Sequence, residues 1–189
     1  MTTAASHDPA NSTEPATGRV CGTCSLCCKL LPIRELEKPK NTWCVHCRPA
    51  AGGCTIYADR PHSCREFACH WLISKNLGDE WAPAKARMFV HYNHDPLGNV
   101  GLYVIVDPSR PDAWRREPYW SQLKVWALNN LRGRKMRTYV NVGPRTWLML
   151  PHDAVETTGK FHMVVPVGPD RFEARCYNTR EEAMRAQAR

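Results

Sequence analysis

Cysteines are concentrated in one stretch of this chain. Nine of the ten cysteines lie between positions 21 and 69, and these are Cys21, Cys24, Cys27, Cys28, Cys44, Cys47, Cys54, Cys64 and Cys69. Thiolates are soft ligands that bind both Zn²⁺ and iron–sulfur clusters. The sequence therefore predicts a metal-binding segment, with all nine cysteines as candidate ligands.

The spacing of the cysteines supports this prediction. The first four follow the pattern C-x-x-C-x-x-C-C, and a spacing of two residues lets a tight turn bring two thiolates onto one metal. Because Cys28 follows Cys27 directly, their side chains diverge, so this pair suits two metals or one ligand with one bystander. Cys44 and Cys47 form a second C-x-x-C, in which we interpret His46 as a bystander.

The spacing leaves the identity of the metal open. Two separated pairs, Cys21/Cys24 and Cys44/Cys47, are typical of zinc sites. The C-x-x-C-x-x-C run is closer to the cysteine run of ferredoxins, and we favour a 4Fe–4S cluster slightly over zinc alone. Nine thiols exceed the ligands of one site, so one cluster together with one zinc ion is a third arrangement.

Charged residues accompany the cysteines. Arg60 and Arg65 lie close in sequence to Cys64, where they would offset the negative charge of a thiolate site, although a surface position is the simpler interpretation. The charged residues after the first four cysteines, which include Lys38, are typical of a solvated face. Cys176 stands alone, and we predict that it belongs to the core or the surface rather than to the ligands.

The second half of the stretch carries a resemblance. The C-x-x-C-x-x-C-C opening and the later residues are similar to those of the YkgJ-type cysteine-cluster family, which is described as zinc- or iron-chelating. The later residues that match the motif of that family are Gly53, Cys54, Ile56, Tyr57, Arg60, Pro61, Cys64, Arg65, Phe67 and Cys69.

The resemblance covers about residues 21 to 72 and implies metal binding. The ligands that it implies are Cys24, Cys27, Cys28, Cys54, Cys64 and Cys69, with Cys44 and Cys47 as an additional pair. A cysteine cluster of this kind also occurs in bacterial flagellin lysine methylases. The chain shows no further resemblance to those enzymes, so their activity is not carried over.

The composition restricts which partners and which cellular compartment are expected. The net charge of +8 and the pI of about 9.1 suit nucleic acid, an anionic membrane surface or an acidic protein as partner, or simply a solvated basic surface. No run approaches the ~18 apolar residues of a membrane span, and the N-terminus has no apolar signal-peptide region. We therefore expect a cytoplasmic protein, in which clustered cysteines indicate metal rather than disulfides.

The pattern along the chain predicts an α+β fold. A loop-rich, metal-stabilised Cys domain packs on a small, mainly antiparallel sheet with one main helix. The predicted parts are a disordered tail at 1–18, a Cys-rich metal-binding domain at 19–75, an α+β sheet domain at 76–178 and a short C-terminal helix at 179–189.

Periodicity predicts the elements of the second part. Strands are expected at 84–94 and 99–107, a hairpin at 137–150, and two more strands that start at Phe161 and Arg171. The main helix is expected within 110–135, with Pro118 at its first position and Gly133 just past its end. His91 and His94 would lie on opposite faces of their strand, which argues against a joint metal site.

Three functions fit these observations. The first is a metalloprotein that holds an iron–sulfur cluster, zinc or both. The second is a zinc-stabilised basic module that binds nucleic acid or protein. The third is a redox or group-transfer enzyme that depends on the cluster, although residues 76–189 contain no recognisable catalytic motif.

Overall fold

The computed structural model describes residues 18–49, 51, 53–158 and 160–187. Of the tail predicted to be disordered, only Gly18 lies among them, so that prediction falls outside the described residues. None of the described helices is both long enough and apolar enough to cross a membrane.

The first part of the chain forms short elements joined by loops. They are α1 (Leu26–Leu30), a 3₁₀ turn (Arg34–Leu36), β1 (Cys47–Arg48), β2 (Gly53–Cys54), α2 (His62–Glu66) and α3 (His70–Ile73). Strands β1 and β2 pair antiparallel, with Cys47 opposite Cys54. Gly53 has a φ of +71°, and a Cβ there would lie 3.2 Å from the carbonyl oxygen of Gly22. Glycine therefore permits the first cysteine loop to approach this ribbon closely.

The second part carries the longer strands and the main helix. Its elements are a 3₁₀ turn (Asp79–Trp81), α4 (Pro83–Ala86), β3 (Met88–His94), β4 (Val100–Val106), a 3₁₀ turn (Ala113–Arg115), α5 (Tyr119–Asn129), a π turn (Asn130–Arg134), β5 (Arg137–Val142), β6 (Arg145–Met149), β7 (Ala154–Glu156), β8 (Phe161–Gly168), β9 (Arg171–Tyr177) and α6 (Arg180–Gln187). Strands β3 to β7 form one sheet in that order, and β8 and β9 form a separate hairpin.

The sheets are mainly antiparallel, as predicted. Neighbours in the five-stranded sheet run antiparallel except β4 and β5, which are parallel. A parallel pair needs a crossover, and the segment containing α5 provides it. The chain is thus a mixed α+β protein with one longer helix, which confirms the predicted fold class. The predicted domain boundaries stay predictions.

One face of the sheet packs against α5. Because side chains alternate along a strand, Met88 and Val90 of β3 face this layer together with Val104 of β4. Leu123 and Ala127 of α5 close the core from above, both fully buried. This is the larger of the two hydrophobic clusters that the described residues form.

The opposite face of the sheet supports the Cys-rich segment. Phe89, one residue on from Met88, packs with Leu26 and Leu30 of α1, and Phe67 and Ile105 border this small cluster. Because side chains of β3 point alternately to the two faces of the sheet, this strand contributes to two hydrophobic cores, one on each face. The helix that carries the first adjacent cysteines, α1, packs on this smaller core.

A buried carboxylate ties α1 to the end of β4. The side chain of Asp107 is fully buried, and its two oxygens accept hydrogen bonds from Lys29 and Arg87, each at 2.6 Å. Burial alone would raise the pKa of Asp107, but the hydrogen bonds from Lys29 and from the backbone N–H of Ser109 lower it overall. The carboxylate is thus held in its charged form.

The main helix is shorter than predicted. It begins at Tyr119 with Pro118 as its N-cap residue, and it ends at Asn129, where a π turn follows. Gly133 lies inside that turn, and Lys135, with a φ of +50°, takes the left-handed position. The prediction that Pro118 and Gly133 mark the first helical and the post-terminal position was therefore wrong.

Two other local predictions concern the starts of α6 and β3. The amide of Glu182 donates to the Thr179 hydroxyl at 3.2 Å, and the Glu182 carboxylate accepts from the Thr179 amide at 3.3 Å. This reciprocal pair is a capping box, and it starts α6 within the region where the sequence predicts a short C-terminal helix. The strand predicted at 84–94 begins only at Met88, because Pro83 starts the short helix α4 just before it.

Candidate metal centre

A cavity of about 490 Å³ lies between the cysteine loops and Phe89 of β3. We call it the thiol cavity. Eight of the nine candidate ligands line it, and these are Cys21, Cys24, Cys27, Cys28, Cys44, Cys54, Cys64 and Cys69. Cys47 lies outside the lining but forms a side-chain hydrogen bond with Cys28. The fold therefore brings the predicted ligands together.

Both C-x-x-C pairs form tight turns. The amide of Cys24 donates to the carbonyl of Cys21 at 2.9 Å, and the amide of Cys47 donates to the carbonyl of Cys44 at 3.0 Å. The amide of Cys44 also donates to the carbonyl of Cys28 at 3.1 Å. That bond fastens the second pair to the end of the first cysteine run.

Helix α1 presents two adjacent thiols. Cys27 packs against the small cluster around Phe89, and neighbouring residues on a helix point about 100° apart. Cys28 accordingly reaches Cys47, although the thiols of Cys27 and Cys28 also hydrogen-bond to each other.

All ten cysteines are free thiols. Within residues 18–187, apart from the three positions left undescribed, no group of three or more His, Cys, Asp or Glu side chains is arranged to hold a metal ion. The thiols are distributed over the walls of the cavity. Cys176 lies opposite His162 in the β8–β9 hairpin, away from this lining.

Burial raises the pKa of several thiols of the centre. It raises the pKa of Cys69 to about 11 and the pKa of Cys47 to about 11. The pKa of Cys28 is raised further, first by its hydrogen bond with Cys27 and then by burial. Thiols with such pKa values stay protonated at neutral pH without a cation. A bound metal supplies that positive charge, and its binding releases the protons.

Lys38 is a buried cation beside the thiols. Only 7% of the residue is exposed, and its Nζ donates to the carbonyls of Pro39 at 2.9 Å, Leu31, and Lys29 at 3.4 Å. Its electrostatic neighbours include Cys44 and Cys28, and burial lowers its pKa. The prediction that Lys38 belongs to a solvated face was wrong, because the loop folds back and wraps its carbonyls around the ammonium group.

Arg60 is the second cation of the centre. It lines the thiol cavity, and its guanidinium lies 4.0 Å from the ring centre of Tyr57. Its charge lowers the pKa of Cys21, although burial outweighs this effect. The buried Nε of Arg60 has no hydrogen-bond partner among the residues that the structure describes. Arg65, by contrast, is exposed.

The rest of the lining is mostly apolar. It includes Leu31, Ile33, Phe67 and Leu72, and His46 contributes one polar ring. His46 therefore has the position of a ligand candidate, although its place between two cysteines had suggested a bystander. His91 does not line the cavity and instead contacts the rings of Phe67 and Phe89.

None of the known protein families, curated proteins or solved structures compared with this chain matches it. The similarity to the YkgJ-type family therefore stays a resemblance in its motif residues. The geometry of the thiol cavity carries the functional argument.

Proposed function

We propose that this is a metal-binding protein whose thiol cavity holds an iron–sulfur cluster, zinc or both. The observation that carries the proposal is the gathering of eight thiols around one cavity. These cysteines come from five separate stretches of the sequence. Disulfide bonding is not what brings them together, since all are free.

The open volume favours a cluster as the main occupant. A structural zinc ion is enclosed by four ligands at ~2.3 Å for sulfur, which leaves no open space among them. A cluster places several iron and sulfide atoms between its cysteines. A cavity of about 490 Å³ with thiols spread over its walls suits the larger group.

The surrounding residues fit either occupant. Lys38 and Arg60 offset the negative charge of thiolates, and Arg60 has a free N–H donor of the kind that tunes a cluster through its sulfur atoms. Leu31 and Phe67 keep water from the walls. When bound, an iron–sulfur cluster supplies one-electron transfer, whereas zinc supplies a rigid cross-link for the loops.

A zinc-stabilised basic module is the second candidate. The observation that favours it is the cluster of Arg134, Lys135 and Arg132 at the end of α5, in a chain of net charge +8. Arg132 pairs with Asp170, which reduces the free charge of this patch. Cations at a helix C-terminus also have a purely structural explanation.

Anaerobic purification followed by an optical spectrum and analysis of iron, sulfide and zinc tests the proposal. We expect a coloured protein with iron and sulfide in similar amounts. Cys176→Ser is the matched control, because it removes a thiol outside the cavity and should retain the metal. A wild-type protein without iron or zinc would refute the proposal. A colourless zinc protein that binds nucleic acid would support the second candidate.

A further inference from the structure

One wall of the thiol cavity is a short stretch of chain that also faces solvent. Val20, Cys21, Gly22 and Cys24 line the cavity, yet Val20 is 72% exposed and Gly22 is exposed as well. These residues therefore lie between the cavity and the solvent. We call residues 20–24 the strap.

The main chain of the strap is fastened to little else. Within the described part of the chain, the only hydrogen bond between main-chain groups that involves residues 18–23 joins the amide of Cys24 to the carbonyl of Cys21, at 2.9 Å. That bond lies inside the strap. The thiol of Cys21 adds a bond to the side chain of Tyr57, and thiols are weak hydrogen-bonding groups. A stretch with so few ties belongs to the part of a fold that opens most easily.

The two ends of the strap are held in different ways. At its C-terminal end, Cys24 packs against the small cluster of Leu26, Leu30 and Phe89. At its N-terminal end, the preceding residue, Arg19, carries the tie. The strap can therefore open from its N-terminal end while the C-terminal end stays in place.

Arg19 binds three carbonyl groups beside the cavity. Its guanidinium donates to the carbonyls of Trp71 at 2.6 Å, Ser74 at 2.5 Å and Leu77. Carbonyls in the last turn of a helix lack partners within that helix, and Trp71 lies in α3. The guanidinium also lies 4.8 Å from the ring centre of Trp71, and only 17% of the side chain is exposed.

We infer that the strap is a gate for metal entry and release at the thiol cavity, with Arg19 as its latch. The inference rests on the proposed function, because it concerns how that site is filled and emptied. Two candidate ligands, Cys21 and Cys24, lie on the strap. Opening at Arg19 carries Cys21 away from the thiols that other elements hold, so the same movement uncovers the cavity and removes one of its ligands.

The latch depends on the shape of arginine. A guanidinium presents five N–H donors in a rigid, planar fork, whereas a lysine ammonium is a compact charge on a flexible stem. Three carbonyls from two turns of chain are therefore within reach of Arg19 at once. A lysine at this position retains the charge but does not reproduce that arrangement.

The rate of metal release from the purified full chain tests the gate. Iron and zinc are transferred to an excess of chelator and followed by absorbance. Arg19→Ala should release metal about tenfold faster than the wild type or more, since the loss of even one hydrogen bond from a charged group changes an opening equilibrium by about that factor. Arg19→Lys should lie between them. Arg48→Ala removes an exposed arginine of the same segment and is the matched control, with release at the wild-type rate.

Hydrogen exchange of the metal-loaded protein provides a second readout. In Arg19→Ala, residues 20–24 should exchange faster, while α1 and β3 exchange as in the wild type. Faster exchange throughout the chain would identify a folding defect, and the wild type alone then decides the question. Its release rate should level off as the chelator concentration rises, because opening of the strap must come first.

The outcomes separate the gate from the proposed function. Equal release rates in wild type and Arg19→Ala would overturn the gate and leave the metal site standing. A wild-type release rate that keeps rising in proportion to the chelator would do the same. A wild type that contains no metal would instead refute the proposed function itself.

Discussion

The sheet and the Cys-rich segment are held together by different means. The cluster between the sheet and α5 contains buried residues of β3 to β6 together with Trp81, Trp114 and Leu123, which belong to two 3₁₀ turns and to α5. The cluster under the cysteines contains Leu26, Leu30 and Phe89, and Phe89 belongs to the sheet. Among the described residues, the segment thus contributes two buried side chains to that cluster, and its other residues there are only partly buried. Apolar burial supports the sheet, whereas the segment depends on polar ties and, on our proposal, on metal.

Removal of metal should have the largest effect and should separate the two regions. After oxidation and chelation, residues 19–75 should lose hydrogen-exchange protection, while β3 to β6 keep theirs. The reason is that metal binding is folding free energy for a segment with little core, about 10–16 kcal/mol for zinc-finger peptides. Hydrogen exchange followed by mass spectrometry measures this, with untreated protein as the control. Unchanged protection in residues 19–75 would mean that packing alone holds the segment.

Leu123→Ala should lower the stability of the sheet and leave the metal content unchanged. Leu123 is fully buried on α5, and replacing a buried leucine by alanine costs about 2–5 kcal/mol. Urea denaturation followed by circular dichroism should show this loss, with metal per folded chain unchanged.

Leu30→Ala is the matched variant in the other region. Leu30 is 2% exposed and holds α1, which carries Cys27 and Cys28, against Phe89. We expect this variant to lower the metal content, which Leu123→Ala does not. Equal metal loss in the two variants would show that the regions are not independent.

Asp107→Asn should loosen the tie between the two regions. The substitution leaves Lys29 and Arg87 without their carboxylate. Breaking a buried ion pair costs about 3–5 kcal/mol, and we expect about 3 kcal/mol because Arg87 is partly exposed. The free energy of unfolding, measured by denaturation, tests this. Glu156→Gln, in the exposed pair with Arg145, is the control and should leave the midpoint unchanged.

A pH effect at His91 should be the smallest of these effects near neutral pH, because it develops only in acid. Burial lowers the pKa of His91 from 6.5 to about 4, so the unfolded chain binds a proton that the folded chain rejects. Stability is therefore complete above pH 6.5 and falls as the pH drops towards 4, by up to about 3 kcal/mol. His91→Gln should remove this part of the pH dependence, measured as the difference from wild type between pH 7 and pH 4.

His94→Gln is the control for that measurement. His94 is exposed on the same strand, so its substitution should leave the pH dependence as in the wild type. An identical pH dependence in wild type and His91→Gln would contradict the burial of His91 between Phe67 and Tyr103.

Local patterns predicted most of the second part of the fold. The strands β3 and β4, the hairpin at 137–150 and the C-terminal helix depend on neighbouring residues, and each lies within the range that its pattern indicated. The end of α5 was not where its pattern indicated, because the chain must turn there to pair β5 with β4. Asn130 also hydrogen-bonds to Thr138 at 3.0 Å, and a tertiary contact of this kind is not visible in the periodicity of the sequence.

In the candidate site, too, some features were predictable from the sequence and others were decided only by the fold. Residue type and spacing identified the nine cysteines and both C-x-x-C turns, because thiol chemistry and tight turns are local properties. Tertiary structure decided which thiols line the cavity and that Cys47 and Cys176 are not among them. It also decided the burial of Lys38, since three backbone carbonyls surround its ammonium group only after the loop folds back. The sequence by itself thus determined the chemistry that is available, and the fold determined its distribution in space.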